Sequence, residues 1–307
     1  MYMVYHEIRT VKNKKQNYLI HNSRVGKKWT KKSKYLGDGL ISDTEIKKAK
    51  VKFEIELRKQ KNYKFLSEND VIEIERLRQK VSEYFEKAGK SGTESFNEWF
   101  STELTYNSNA IEGSTLSLKD TSLIINDNLT PKGASLREVH EAKNHKDAID
   151  FISTYLGDFN EQFISKLHQH ILKNIDNENA GKYRKVQVFI RGSDVVLPPH
   201  ILVPKLMNDL VKWYKQNKKD YHPFELAIIT SMKFVTVHPF VDGNGRASRL
   251  IMNFLLKKNK YPEINVYVKE RADYLIAVRK ANSKNYVKII GFLIKTIKKN
   301  YKRMGTY

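Results

Sequence analysis

A histidine, a carboxylate, two glycines and two arginines fall within one twelve-residue stretch, His238-Pro239-Phe240-Val241-Asp242-Gly243-Asn244-Gly245-Arg246-Ala247-Ser248-Arg249. Gly243 and Gly245 flank Asn244, and glycine accepts positive φ and lets a backbone approach a ligand closely. From Ala247 onward the apolar residues recur at Leu250, Ile251, Phe254 and Leu255, which is helical spacing. A tight glycine turn therefore opens a helix, whose free N–H groups and positive dipole end make an anion site. Arg246 and Arg249 share one side of the first turn, and a guanidinium fork suits phosphate oxygens. Asp242, just before the turn, is placed to hold Mg²⁺ bridging phosphates. His238 stands four residues earlier. With an ordinary pKa of about 6.5 an imidazole serves as a general base at neutral pH, and neighbouring arginines disfavour its protonation. The chemistry is that of a bound phosphate chain with a base beside it.

The stretch resembles the signature of the Fic family, H-P-F-x-D/E-G-N-G-R-x-x-R, and matches it at every fixed position. His222-Pro223-Phe224 repeats the first three letters, but Glu225-Leu226-Ala227-Ile228 follows without a glycine turn. That copy reads as a helix start with Pro223 in an early helical position. The resemblance implies a mainly α, helical Fic core that transfers AMP from ATP to a Ser, Thr or Tyr hydroxyl of a protein. On that reading His238 takes the hydroxyl proton and Asp242 holds Mg²⁺ on the α- and β-phosphates. Gly243, Asn244 and Gly245 bind phosphate oxygens through backbone N–H groups and the Asn244 amide, and Arg246 and Arg249 take the β- and γ-phosphates. The G-N-G-R sequence, rather than a lysine-bearing variant, favours nucleotidyl over phosphoryl transfer within the family.

Three further segments join this resemblance. Ser108-Asn109-Ala110-Ile111-Glu112-Gly113 is similar to the family's inhibitory motif S/T-x-x-x-E-G/N, which implies that Glu112 pairs with Arg249 and occupies the fork needed by the γ-phosphate. Alternation at Val186, Val188 and Ile190, with a turn signal at Gly192-Ser193, reads as a short β-hairpin. It resembles the family flap, G-x-x-R followed by an extended segment and Pro198-Pro199, which holds a target segment by strand addition. Arg271-Ala272-Asp273-Tyr274 is similar to the family's R-x-x-Y, which puts Tyr274 near the adenine side. The resemblance covers residues 93–280. It leaves open the reverse reaction, removal of AMP with Glu112 positioning a water, and is compatible with self-modification and with a homodimer.

The elements that must position these residues are mostly helices. Apolar spacing predicts helices over 42–62, 70–88, 93–113, 135–155, 159–175, 202–213, 223–237 and 285–302, with a loop and short helix over 114–130. Gly89-Lys90-Ser91-Gly92 is the expected boundary between a helical hairpin or linker (41–92) and the Fic domain (93–307), whose inhibitory helix spans about 100–113. His140, His145, His168 and His170 read as packing or surface residues rather than metal ligands.

Residues 1–40 form a small basic β segment in this reading. Tyr5, Ile8, Val11, Tyr18, Ile20, Val25, Trp29 and Tyr35 favour strands, and Asn13, Asn22, Gly26 and Gly37 supply turns. Residues 1–39 hold ten Lys or Arg against Glu7 and Asp38. Basic strands with interleaved aromatics suit nucleic acid, which makes a nucleic-acid-binding regulator a competing function; a sheet blunted by solvated lysines is the other reading. The whole chain of 307 residues carries +22. Its hydrophobic content of 40% supports a core, and no apolar run reaches the roughly 18 residues of a membrane span. With no cysteine there are no disulfides or thiolate metal sites, and no signal peptide opens the sequence, so a cytoplasmic protein is expected.

Overall fold

The computed structural model describes residues 4–25, 28–58, 63–190 and 195–302. Packing groups residues 1–62 and 67–76 into one unit, and 63–66 with 77–307 into a second.

The first unit is a three-stranded antiparallel meander, β1 (Val4–Val11), β2 (Lys14–Val25) and β3 (Lys28–Asp38), followed by α1 (Asp43–Arg58). Lys12 and Asn13 both take positive φ, 46° and 62°, the two-residue turn whose twist matches a hairpin. Val11 therefore pairs with Lys14 and the ladder runs to Val4 opposite His21. Ser42 caps α1, its hydroxyl accepting from Glu45 N while the Glu45 carboxylate accepts from Ser42 N. One sheet face, with Val4, Leu19 and Leu36, packs on Phe53 and Leu57 of α1.

The second unit is helical. It begins within α2 (Glu68–Glu112), which bends where Gly89 has φ 64° and ψ −164° and then continues through the expected boundary patch. Then come α3 (Leu118–Ile125), α4 (Leu136–Thr154), α5 (Glu161–Leu172), α6 (Val203–Asn217), α7 (Pro223–Val237), α8 (Asn244–Lys258), α9 (Arg271–Asn282) and α10 (Val287–Asn300). α7 and α8 are buried on nearly every side, as the central pair of a helical core must be. Phe163 stacks on Phe151 and Phe254, which ties α4 and α5 to α8. As expected, Pro223 lies in the first turn of α7 and His222 is its N-cap, accepting from Phe224 N.

One expectation fails. Val186 lies at a bend and residues 187–190 have no regular secondary structure, so the segment belongs to no ladder, and the N-terminal meander is the sheet found among the described residues. Side chains hold the returning chain instead: Gln187 Nε2 donates to Leu197 O and Arg184 Nη2 to Pro198 O. The turn signal at Gly192-Ser193 lies outside the described residues. No helix among the described residues is long and apolar enough to cross a membrane.

Candidate active site

α7 ends at His238, which is left-handed at φ 51° and ψ 60° yet still donates its N–H to Phe234 O. Such a conformation is uncommon for a residue with a Cβ and persists only where its surroundings impose it. Those surroundings are visible. The Asn244 amide clamps the loop on itself, Oδ1 accepting from Phe240 N at 3.0 Å and Nδ2 donating to Phe240 O at 2.8 Å. The Phe240 ring lies flat on His168, centroids 3.6 Å apart. His168 Nδ1 accepts from Gly181 N at 2.9 Å, so its proton is on Nε2, which donates to Asp242 O at 2.9 Å. Gly243, at φ 77°, is the N-cap of α8, and a Cβ there would press within 3.2 Å of Ile171.

The charged groups are paired. Asp242 Oδ1 accepts from Gly243 N at 2.6 Å and faces Arg246 Nη2 at 3.3 Å, while Oδ2 takes Arg137 Nη2 at 2.6 Å. Arg137 Nε meets Glu141 Oε1 at 3.1 Å, and the same oxygen lies 3.3 Å from Arg246 Nη1. Two i,i+4 pairs, one from α4 and one from the loop, thus close a ring of alternating charge. Burial raises the Asp242 carboxyl, but Arg246, the Gly243 N–H and Arg137 outweigh it and hold the group below its ordinary range. Arg246 is buried and its Nε has no partner among the described residues.

Arg249 is buried too. Its Nη2 donates to Glu112 Oε1 at 2.8 Å and to Ser108 O at 2.9 Å, and its Nε to Ser108 Oγ at 3.0 Å. Burial works against this charge, but Glu112 and the adjacent Tyr274 keep it raised. A Cβ built on Gly245 would lie 2.1 Å from Glu112 Oε1. The carboxylate therefore rests against the first turn of α8, where a helix N-terminus attracts an anion. Its side chain remains 39% exposed.

Arg184 joins the 186–190 segment to the loop. Its Nε donates to His238 O at 2.9 Å, its own N–H donates to Pro239 O at 2.9 Å, and Nη1 donates to Val186 O at 3.1 Å.

Comparison with known proteins bears on this arrangement. Residues 158–256 match the Fic/DOC family. Residues 158–256 are a Fic domain. Protein adenylyltransferase Fic of Nematostella vectensis is 34% identical over 182 residues, 58% of this chain and 42% of that protein. Protein adenylyltransferase fic-1 of Caenorhabditis elegans is 33% identical over 183 residues, 58% of this chain and 36% of the relative. The chain thus spans less than half the length of these curated relatives. Among solved structures, a Fic-domain-containing signaling protein from Bacteroides thetaiotaomicron aligns with TM-score 0.68 at 26% identity, covering 76% of this chain and 95% of the other. A fragment of C. elegans Fic-1 aligns with TM-score 0.67 at 27% identity, covering 76% and 71%.

Within the Fic domain, His238 is pushed down to about 4, first by burial and then by the Arg184 charge, with the Val235 carbonyl, Glu112 and Asp242 opposing. Its Nδ1 has no hydrogen-bond partner among the described residues. The imidazole is neutral and so able to accept a proton, although this nitrogen is itself buried. Among the described residues no three His, Cys, Asp or Glu side chains converge as a metal cluster. Mg²⁺ held by one carboxylate and substrate phosphates does not need one, and the ionised, partly exposed Asp242 fits that demand.

The structure gathers His238, Asp242, Gly243, Gly245, Arg246, Arg249, Glu112 and Ser108 around the start of α8. It commits both ends of the Asn244 amide to Phe240, so that side chain shapes the loop and is not offered to phosphate. Tyr274 is buried against Arg249. Sequence reasoning missed Arg137, Glu141 and Arg184 as partners of the motif, and took His168 as ordinary packing. Only Arg184 carried a signal, as the arginine of the flap pattern.

Proposed function

We propose that this chain transfers AMP from ATP to a Ser, Thr or Tyr hydroxyl of a protein, and that Glu112 restrains the transfer. One observation carries the reading: the Glu112 carboxylate sits at the start of α8, paired with a buried Arg249, beside a histidine kept neutral. An anion already occupies the place where a phosphate would sit.

In the forward direction His238 accepts the proton of the target hydroxyl. That oxygen forms a bond to the α-phosphorus, the bond from this phosphorus to the bridging oxygen breaks, and pyrophosphate leaves. Backbone N–H groups at Asn244 and Gly245 and the guanidinium groups of Arg246 and Arg249 meet its charge, so catalysis is placement and charge stabilisation. Asp242 would hold Mg²⁺, which when bound neutralises phosphate charge. Tyr274 holds Arg249 in place. The Val186–Ile190 segment, pinned by Arg184, presents backbone groups to a target strand in this reading.

A second reading is removal of AMP, favoured by the exposed part of the Glu112 carboxylate, which is open to a water. α- and γ-labelled ATP with wild type, His238→Ala and Glu112→Gly separates the readings. Transfer predicts label from the α position alone, loss of label in His238→Ala and a gain in Glu112→Gly. Loss of AMP removal in Glu112→Gly supports the hydrolytic reading. Label from the γ position, or label surviving His238→Ala, refutes the transfer mechanism.

A further inference from the structure

The Fic domain leaves the N-terminal sheet without a task. α1 covers one face of that sheet, through Val4, Leu19 and Leu36. The registers put Arg9, Lys14, Gln16, Asn22 and Lys31 together on the other face, since Arg9 pairs with Gln16, Val11 with Lys14, and Asn22 with Lys31. Lys14, Asn22 and Lys31 are exposed, as is Trp29, at 68%, on the same face. Lys12 extends the charge at the β1–β2 turn. Residues 1–39 carry ten basic side chains and two acidic ones, and Glu7 is already paired with Arg9 and Lys31.

We propose that this sheet face binds double-stranded DNA, entering the major groove with its exposed Lys14, Asn22 and Lys31 toward the base edges. The dimensions agree. Three strands at about 4.8 Å spacing are about 10 Å across between the outer backbones, and the major groove is about 12 Å wide. The side-chain chemistry agrees as well. Arginine and lysine read guanine, and asparagine and glutamine read adenine, from that groove. Flanking lysines supply the phosphate contacts that give affinity and register.

The same face argues against single strands. A single-strand site needs aromatic faces free for bases to stack on. Here the Tyr18 and Tyr35 rings tilt on one another at 5.3 Å, the Arg9 guanidinium lies 4.4 Å over Tyr18, and the Tyr35 hydroxyl is tied to Asp38. The Tyr18 and Tyr35 rings are part of a preformed polar face, and the exposed Trp29 indole is too little to stack a run of bases. Gln16 Oε1 accepts from the Tyr18 hydroxyl and Asn22 Nδ2 donates to the Tyr5 hydroxyl, which orders these two side chains.

The test uses the full chain and a fluorescein-labelled 20-base-pair duplex of mixed sequence, followed by anisotropy. The expected result is binding at 100 mM salt. With about five phosphate contacts, affinity falls about 500-fold between 50 and 200 mM salt. Lys14→Glu with Lys31→Glu should weaken binding at least tenfold, because each reversal removes a phosphate or base contact and adds repulsion. The control is Lys48→Glu with Lys52→Glu, exposed residues of α1 carrying the same charge change. Far-ultraviolet circular dichroism and the denaturation midpoint check that each variant is folded; Trp29→Ala, which keeps the charge, is a second probe of the face and should also weaken binding. No binding at 100 mM salt overturns the proposal. Equal weakening by the α1 control overturns it too, because that result belongs to diffuse attraction by a basic protein. Tighter binding of a 20-nucleotide single strand than of the duplex overturns the groove geometry. His238→Ala should leave binding unchanged, so this outcome is independent of AMP transfer.

Discussion

His238 sets the pH behaviour of the proposed transfer. Its pKa lies at about 4 rather than near the ordinary 6.5, chiefly because it is buried. The base is therefore ready throughout the neutral range, and a pH–rate profile should be flat above pH 5 and fall about tenfold per unit below pH 4. A limb centred near 6.5 in the nucleotide-free protein would contradict the burial described here. The same depression has a stability consequence. The unfolded chain binds a proton on this residue between about 6.5 and 4 while the folded chain does not, so the contribution is present above that window and is lost as pH falls through it. Arg137 makes a separate prediction. It is paired to Asp242 but is 60% exposed, so the contact is worth at most about 1 kcal/mol. Arg137→Ala should lower the half-saturating Mg²⁺ concentration for transfer, by about fivefold or less. A rise would mean that Arg137 aids metal binding rather than competing for the carboxylate.

At the scale of elements, two segments converge on the start of α8 from opposite parts of the sequence. α2 delivers Glu112 and Ser108, and the loop after α5 delivers Arg184. Glu112→Gly removes the partner of a buried guanidinium, a change that costs about 3–5 kcal/mol in a desolvated pair. Since Glu112 is partly exposed, the loss in chemical-denaturation stability should be smaller, about 1–2 kcal/mol. Arg184→Ala severs three backbone carbonyls from one side chain. It should raise KM for the protein target more than for ATP, which steady-state kinetics with each substrate varied will show. The helices and the phosphate turn were legible in the sequence because apolar period and glycine placement are local signals. Arg137 and Glu141 were not, since a pair four apart on α4 looks like any solvated helix pair until it meets Asp242 and Arg246, about a hundred residues away. The hairpin expected at 186–190 misled for a related reason. Alternation reports an extended chain, and whether a partner strand pairs with it depends on side chains such as Arg184 and Gln187.

Within the helical unit as a whole, the second His-Pro-Phe copy has a structural use. Glu225, just after it, is buried and accepts from Phe65 N at 2.6 Å, Leu66 N at 2.8 Å and Lys64 N at 3.1 Å. Glu225→Ala leaves these amides without that acceptor and should cost about 3 kcal/mol, measured as a lowered urea midpoint, while Glu225→Gln should cost less because one oxygen remains. The end of α2 is fixed in a comparable way. Arg271 Nε donates to Ile111 O at 2.7 Å, one residue before Glu112. With the backbone held there, the proposed release of Glu112 from α8 needs only its own side chain to turn. Side-chain rotation of a partly exposed residue takes picoseconds to nanoseconds, far shorter than the microseconds to milliseconds of a helix shift. In stopped flow, the approach of nucleotide to the Glu112-bearing protein should follow a single exponential without a lag, so that occupancy of α8 is decided by competition between anions and not by waiting for the fold.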